Sequence, residues 1–349
     1  MAVKAQWDSK KIDPKSRERR RRLWMATLVT CVAGAFLGGV FHTLFLAKGR
    51  VGEMQAHSTY DAKAPSEVAK HVQAAGEFID AATRGQNVSI YSVAGAEGLL
   101  SDALWKQLGQ RVEVPAGPFI MGTDRPESDI QDRPRHTVTT GAYRINKFPV
   151  TNAQYALFVA ETGHKAPTSW KDGAIPKGFN LHPVTNVDWQ DATDYCVWSD
   201  KGGALPTEAQ WEKAARGTDG RRWPWGDRMS PKMLNTYNNY GRTTSVLKHM
   251  DGASPYGAVD MAGNVSEWVK NDFKPYPGSS APASMFIPKD TEGSYKTLEH
   301  YKALRGGSWK SDPFSTATYH RNYAMAGDAS DFIGFRCAFP ANAGKGKKE

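Results

Sequence analysis

From Leu23 to Ala47 the chain runs twenty-five residues without an Asp, Glu, Lys or Arg, directly behind the basic run RERRRR. A helix rising 1.5 Å per residue would cross the roughly 30 Å hydrocarbon layer over this length with some tilt to spare. The pattern therefore predicts one transmembrane helix over 23–47. A cleaved signal peptide has an apolar region of only about 7–15 residues, and no A-x-A site stands between Ala47 and Lys48. The segment reads as an uncleaved signal anchor: the arginines hold residues 1–22 in the cytoplasm and send the C-terminal body to the periplasmic, exported side. Gly34 and Gly38 stand at GxxxG spacing, a face for helix-mediated self-association.

Past the span the pattern breaks into shorter pieces. Val68, Val72, Ala75, Ile79 and Ala82 recur at helical spacing behind Ser66 and before Gly85, and a second short helix is expected at Leu99–Leu108. Residues 48–110 thus read as a partly helical stalk or linker. In the body, 111–340, brief helices are expected where Thr151 or Asn152 opens a run with Ala156, Phe158 and Val159, and where Trp189, Ala192, Tyr195 and Cys196 share a face. A third is expected where Thr207 caps EAQWEKAAR before Gly217. Turn signals and short apolar runs fill the remainder, so the patterning predicts an irregular α+β domain.

Net charge changes the picture only through its placement. The total is +9, yet residues 1–22 carry nine Lys and Arg against three acids, and the tail 341–349 three Lys against one Glu. The body is close to neutral, which argues against a nucleic-acid groove. Of the three cysteines, Cys31 falls in the apolar span, where a small thiol needs no further reason. Cys196 and Cys337 fall in the exported body, as a disulfide in an oxidising compartment or as two buried thiols.

The ordered motifs are more specific. VEVPAGPFIMGTD, DRPRHTVTTGAYRINKFPVTN, HPVTNVDWQDATDYCVWSD, LPTEAQWEKAARG, WPWGD, SPYGAVDMAGNVSEW, LRGGSW and IGFRCAF follow one another over Val112–Phe339. Together they closely resemble the formylglycine-generating enzyme, or sulfatase-modifying factor, family. The resemblance implies an irregular C-type-lectin-related fold with a distorted antiparallel sheet and little regular secondary structure. It also implies a stabilising disulfide between Cys196 and Cys337. DMAGNVSEW gathers hard oxygen donors of the kind calcium prefers. The family pattern puts structural Ca²⁺ on the side chains of Asp260 and Glu267 and the main-chain oxygens of Gly263 and Val265, with a second site at Asn235 and Thr236.

In the family's active members two cysteines follow GGSW, bind Cu(I) and oxidise a substrate cysteine. Alignment on Arg305–Trp309 puts Ser311 and Thr316 at those positions. Neither hydroxyl is a ligand for a soft ion, so no copper and no formylglycine-generating activity are expected. The H-x₃-H-x-E spacing of the family's sulfoxide-synthase branch is absent from the chain. Ser311, Asp312 and His320 invite a hydrolase reading, but no G-x-S-x-G surrounds Ser311. Trp309, Asp312, Phe314, Tyr319, His320 and Arg321 are candidates for binding a ligand or partner, since related lectin-type folds recognise partners with this segment.

Three readings follow. The favoured one is a membrane-anchored accessory protein that binds a protein partner in or at the membrane and serves assembly or maturation of a periplasmic, in one version redox, complex. The others are a modifying enzyme independent of the cysteine pair, acting on an exported peptide or metabolite, and a lectin-like receptor.

Overall fold

A computed structural model describes residues 92–288 and 301–341. The expected membrane span, the helix at 66–85 and the N-terminal basic tail lie outside these residues, as does 342–349. Among the described residues no helix is long and apolar enough to cross a membrane.

Helices α1 (Val93–Glu97) and α2 (Asp102–Leu108) each begin behind a serine, Ser92 or Ser101, whose hydroxyl accepts from a first-turn N–H. The Ser101 cap sets the start of α2 three residues later than the apolar pattern alone suggests. Leu100 and Leu108 are buried with Phe148, Ala153 and Leu181. This end of the expected stalk is therefore packed into the domain rather than standing off it.

Three longer helices, α3 (Asn152–Thr162), α4 (Trp189–Ser199) and α5 (Glu208–Arg216), open with reciprocal capping boxes. Thr151 pairs with Gln154, Asp188 with Asp191 and Thr207 with Gln210, each pair satisfying two otherwise orphaned backbone donors. Gly163 ends α3 in the left-handed region, at φ 71°.

The strands form three small sheets. β1 (Arg111–Val114) and β9 (Ala338–Pro340) flank β4 (Tyr143–Asn146), all antiparallel. β2 (Gly117–Met121) pairs with β3 (His136–Thr140) across a long connection. The third sheet, in the order β7-β6-β5-β8, joins β5 (Ser266–Asp272), β6 (Lys302–Arg305), β7 (Arg321–Ala324) and β8 (Ile333–Phe335). Its β5–β8 pair is parallel, and the β5–β6 register shifts between Trp268 and Asp272. The result is the irregular α+β architecture that the sequence predicts.

The Cys196–Cys337 disulfide forms as expected, joining α4 to the link between β8 and β9 with the Cα atoms 5.4 Å apart. Tyr155, Tyr195, Trp268, Phe335 and Phe339 pack around it. A second cluster gathers on Trp211 and Phe273.

Between these clusters runs a buried ionic network. Glu208, the first residue of α5, accepts from Arg305 Nη1 at 2.9 Å and from Arg321 Nε and Nη2 at 2.6 and 2.9 Å. Glu212 takes Arg305 Nη2 and, at 2.7 Å, Arg216 Nη1. Burial opposes the charge on Glu208, but Arg321 and Arg305 outweigh it and hold its pKa below the ordinary carboxylate value. The network clamps α5 onto β6 and β7, the two strands that bracket the candidate site.

Candidate functional site

The segment between β6 and β7 begins with a glycine pair in the left-handed region, Gly306 at φ 89° and Gly307 at φ 64°. Any Cβ at 306 would lie 2.9 Å from the Trp211 ring, and one at 307 would lie 2.5 Å from the Ser315 carbonyl oxygen. Glycine is thus required for the chain to turn beneath its own later residues.

Hydrogen bonds then fix the loop in place. Trp309 N donates to Asn264 O at 3.0 Å and Ser311 N to Ser308 O at 3.0 Å. A neighbouring loop adds Asn238 N to Trp309 O at 2.7 Å and Tyr237 N to Ser311 O at 2.8 Å. Thr236 Oγ1 also donates to Ser311 O, at 2.6 Å. Tyr237 and Asn238 are consecutive non-glycine residues at φ 56°, a strained conformation that holds Tyr237 59% exposed beside the loop.

The two positions that matter most for chemistry are occupied by committed hydroxyls. Ser311 Oγ accepts from Ser308 N at 2.9 Å. Thr316 is fully buried; its Oγ1 donates to Pro313 O at 2.6 Å and accepts from Trp223 Nε1 at 3.2 Å. The Ser311, Asp312 and His320 side chains turn to separate partners. Asp312 caps its own turn through Phe314 N, Ser315 N and Ser315 Oγ, and His320 meets Asp132 at 3.2 Å.

Of the proposed recognition residues, Trp309, Tyr319 and Arg321 are buried. Trp309 Nε1 donates to Asp331 O, Arg216 lies 5.6 Å from the centre of the Tyr319 ring, and Arg321 belongs to the ionic network. Asp312 is exposed and Phe314 half-buried, beneath the Arg222 guanidinium at 5.0 Å. Lys310 and Asp312 are the exposed residues of the loop, with Phe314 half-buried. Tyr237 stands exposed beside Ser311, while Tyr240, 38% exposed on the same neighbouring loop, turns its ring to Lys248 and His249. The two tyrosines come from a loop whose nearness to the site no short-range sequence signal gives.

The expected calcium residues divide. Asp260 Oδ1 and Asn235 Oδ1 are buried acceptors without a hydrogen-bond partner among the described residues. Asn264 ties the two together, donating Nδ2 to Asp260 Oδ2 at 2.9 Å and accepting from Asn235 Nδ2 at 3.2 Å. Burial pushes the Asp260 carboxyl up to about 7, although the Asn264 bond and Arg336 lower it in part. Unmet hard oxygens, one of them on a buried acid, are the donor type that Ca²⁺ takes. Glu267 is committed otherwise: Arg336 engages both its oxygens, and Trp211 Nε1 donates to Oε2 at 2.7 Å. Gly263 packs against the Asn235 backbone, while Thr236 holds Ser311.

One further group escaped the sequence reading. Asp129 and Asp132, on the turn before β3, stand with His320 at the entry to β7. The acidic run ESDIQD was its only local signal. Burial opposes charge on His320, but the Asp132 bond and the two carboxylates outweigh it and raise its pKa.

Comparison with known proteins places this geometry in a family. Hercynine oxygenase of Mycolicibacterium smegmatis is 31% identical over 270 residues, covering 66% of this chain and 61% of that protein. The chain thus spans about three fifths of that relative's length. The Mus musculus protein named inactive C-alpha-formylglycine-generating enzyme 2 is 27% identical over 296 residues, covering 68% and 87%. The solved structure of PvdO from Pseudomonas aeruginosa is similar with a TM-score of 0.54 at 26% identity, covering 66% of this chain and 94% of PvdO. The family model of the sulfatase-modifying factor enzyme 1-like domain matches residues 97–341, and the chain belongs to that family.

Proposed function

We propose that this chain is a membrane-anchored, exported accessory protein whose sulfatase-modifying-factor-like domain binds a protein partner, without formylglycine-generating oxidase activity. The observation that carries the reading is Thr316. At a position where the family's active members keep a copper thiolate, this chain has a fully buried hydroxyl with both a donor and an acceptor partner in the fold. An oxygen so placed offers neither a soft ligand nor a nucleophile to a peptide thiol. A relative of similar coverage is itself named inactive. The resemblance to hercynine oxygenase does not bring its activity, since the chain lacks the H-x₃-H-x-E spacing of the sulfoxide-synthase branch.

What the domain offers instead is a rigid outward face. Tyr237 is 59% exposed where its backbone bonds Ser311, next to Asp312, and Tyr240, 38% exposed, follows on the same loop with its ring against Lys248 and His249. Aromatic side chains on a fixed backbone suit protein recognition, because little entropy is lost when they dock. Calcium at Asp260 and Asn235 would act structurally, matching the buried Asp260 charge and bracing the loop that carries Tyr237. The apolar span at 23–47 would tether the domain to the membrane on the exported side, where assembly of a periplasmic complex takes place.

The test is affinity purification of the full-length chain from detergent-solubilised membranes, with wild type beside a Tyr237→Ala, Tyr240→Ala double variant. A stoichiometric membrane or periplasmic protein that is retained by wild type and lost by the variant is the expected result. A chain that purifies alone and oxidises a cysteine peptide with Cu(I) and oxygen would overturn the reading.

A further inference from the structure

Two chain segments nearly two hundred residues apart place three metal-competent atoms together. An oxygen of Asp129, an oxygen of Asp132 and a ring nitrogen of His320 all lie within 4.8 Å of one another. His320 Nδ1 is 3.2 Å from Asp132 Oδ2 and 3.7 Å from Asp129 Oδ2. We propose that Asp129, Asp132 and His320 form a binding site for a divalent first-row transition cation of the zinc class, distinct from the calcium residues around Asp260.

Size is the first argument. With metal–ligand bonds of about 2.1 Å and angles between octahedral and tetrahedral, neighbouring donor atoms stand about 3.0–3.4 Å apart. The two distances to His320 fall within a few tenths of an ångström of that range. The two carboxylate oxygens, within 4.8 Å of each other, have to draw together, and the exposed Asp129 side chain is the one free to turn. The donor chemistry agrees: one imidazole and two carboxylates suit Zn²⁺ or Mn²⁺, whereas calcium prefers oxygen alone.

Orientation is the second. The other oxygen of Asp132 accepts the backbone N–H of Arg321 at 2.8 Å, which directs Oδ2 toward His320. Arg321 Nη1 bonds Gln131 O at 3.1 Å, so the acidic turn and the His320 backbone are clamped by one residue. His320 N is held by Ala317 O at 2.9 Å. Partners of this kind fix ligands in advance of the metal. Asp129, by contrast, caps no backbone N–H; Gln131 Nε2 donates to its Oδ2 at 3.4 Å, and its side chain is 51% exposed, leaving an open side for entry and for bound water.

Charge is the third. Two carboxylates and a neutral imidazole carry two negative charges that a dication neutralises. Arg305 and Arg321 do not supply that charge, since they already meet Glu208 and Glu212, and Arg133 turns its guanidinium to the carbonyls of Arg125, Pro126 and Ser128. Occupancy would staple the turn before β3 to the end of the loop holding Thr316, and so stiffen the recognition face. The competing arrangement is an imidazolium ion-paired with both acids, which needs no metal.

The experiment uses the full-length chain in detergent, stripped with chelator and titrated with Zn²⁺ against a chromophoric competitor. Because His57 and His71 also offer nitrogens, the informative quantity is the difference between wild type and variants. Asp129→Asn and His320→Gln should each lose at least about tenfold in affinity at one stoichiometric site. Co²⁺ should give d–d absorption in wild type that each variant loses. Asp129 is exposed, so its variant keeps the fold and decides the matter even if His320→Gln does not. Zinc affinity unchanged in Asp129→Asn, or no zinc bound by wild type, would overturn the proposal.

Discussion

Arg336 grips Glu267 side-on, its Nε 2.7 Å from Oε2 and its Nη2 2.7 Å from Oε1, with both side chains fully buried. The same arginine reaches Val259 O at 2.8 Å and so ties the DMAGNVSEW turn to the C-terminal β8–β9 segment. Removing one partner from a fully buried pair leaves an uncompensated charge, which costs about 3–5 kcal/mol. Arg336→Met should therefore destabilise the domain by that order in urea denaturation. An Arg336→Met, Glu267→Gln double variant should recover part of the loss. Equal loss in the single and double variants would contradict the pairing argument.

The disulfide makes a separate demand on stability. It closes a loop of 141 residues between Cys196 and Cys337. Chain entropy alone makes that worth about 4–5 kcal/mol, often less in practice. Denaturant midpoints with and without reductant should differ accordingly. The Cys196→Ala, Cys337→Ala double variant should match the reduced wild type. Mass spectrometry of a non-reduced digest checks the linkage itself.

Gly307 controls the loop without touching any partner. At φ 64°, with the Ser315 carbonyl where its Cβ would lie, Gly307→Ala should cost about 2 kcal/mol through left-handed strain and crowding. The damage should be local as well as global. Hydrogen exchange at Ser311 N and Thr316 N, both bonded within the loop, should quicken in the variant. Unchanged exchange there would show that the glycine pair does not hold the loop.

These sites differ in how far the sequence displayed them. Thr207 was legible as a cap, and Thr151 as one of two candidates with Asn152, because a cap is a local pattern of three or four residues, and Ala156, Phe158 and Val159 because an inward helix face repeats locally. The burial of Glu208, Glu212, Arg305 and Arg321 was not, since Glu208 finds both its cations, and Glu212 one of its two, about a hundred positions away, and only the Glu212–Arg216 pair is local. Charged residues on short elements look solvated until the partner is placed. Trp309, Tyr319 and Arg321 show the converse difficulty. Aromatics and arginines serve recognition surfaces and cores alike, and here the core took them. Asp129 and Asp132 gained meaning only when the fold brought His320 beside them.

His182 gives a pH dependence whose sign can be worked out. Burial, with Arg242 and Lys248 nearby, lowers its pKa from 6.5 to about 4, and hydrogen bonding to the Thr243 backbone only partly offsets this; its Nδ1 also lies 2.9 Å from Thr243 Oγ1. In the unfolded chain the imidazole titrates near its ordinary value, so between about 4 and 6.5 the unfolded state binds more protons than the folded state. The contribution is complete above pH 6.5 and is lost as the pH falls toward 4. A shift of this size corresponds to roughly 3 kcal/mol at the acid end. Acidic side chains add their own acid sensitivity, so the comparison must be with His182→Gln, which keeps a polar group beside Thr243 but cannot take the proton. Urea denaturation from pH 4 to 8 should show wild type falling more steeply than the variant below pH 6.5, with parallel curves above it. Parallel curves throughout would mean that His182 is protonated in the folded domain as readily as in the unfolded chain.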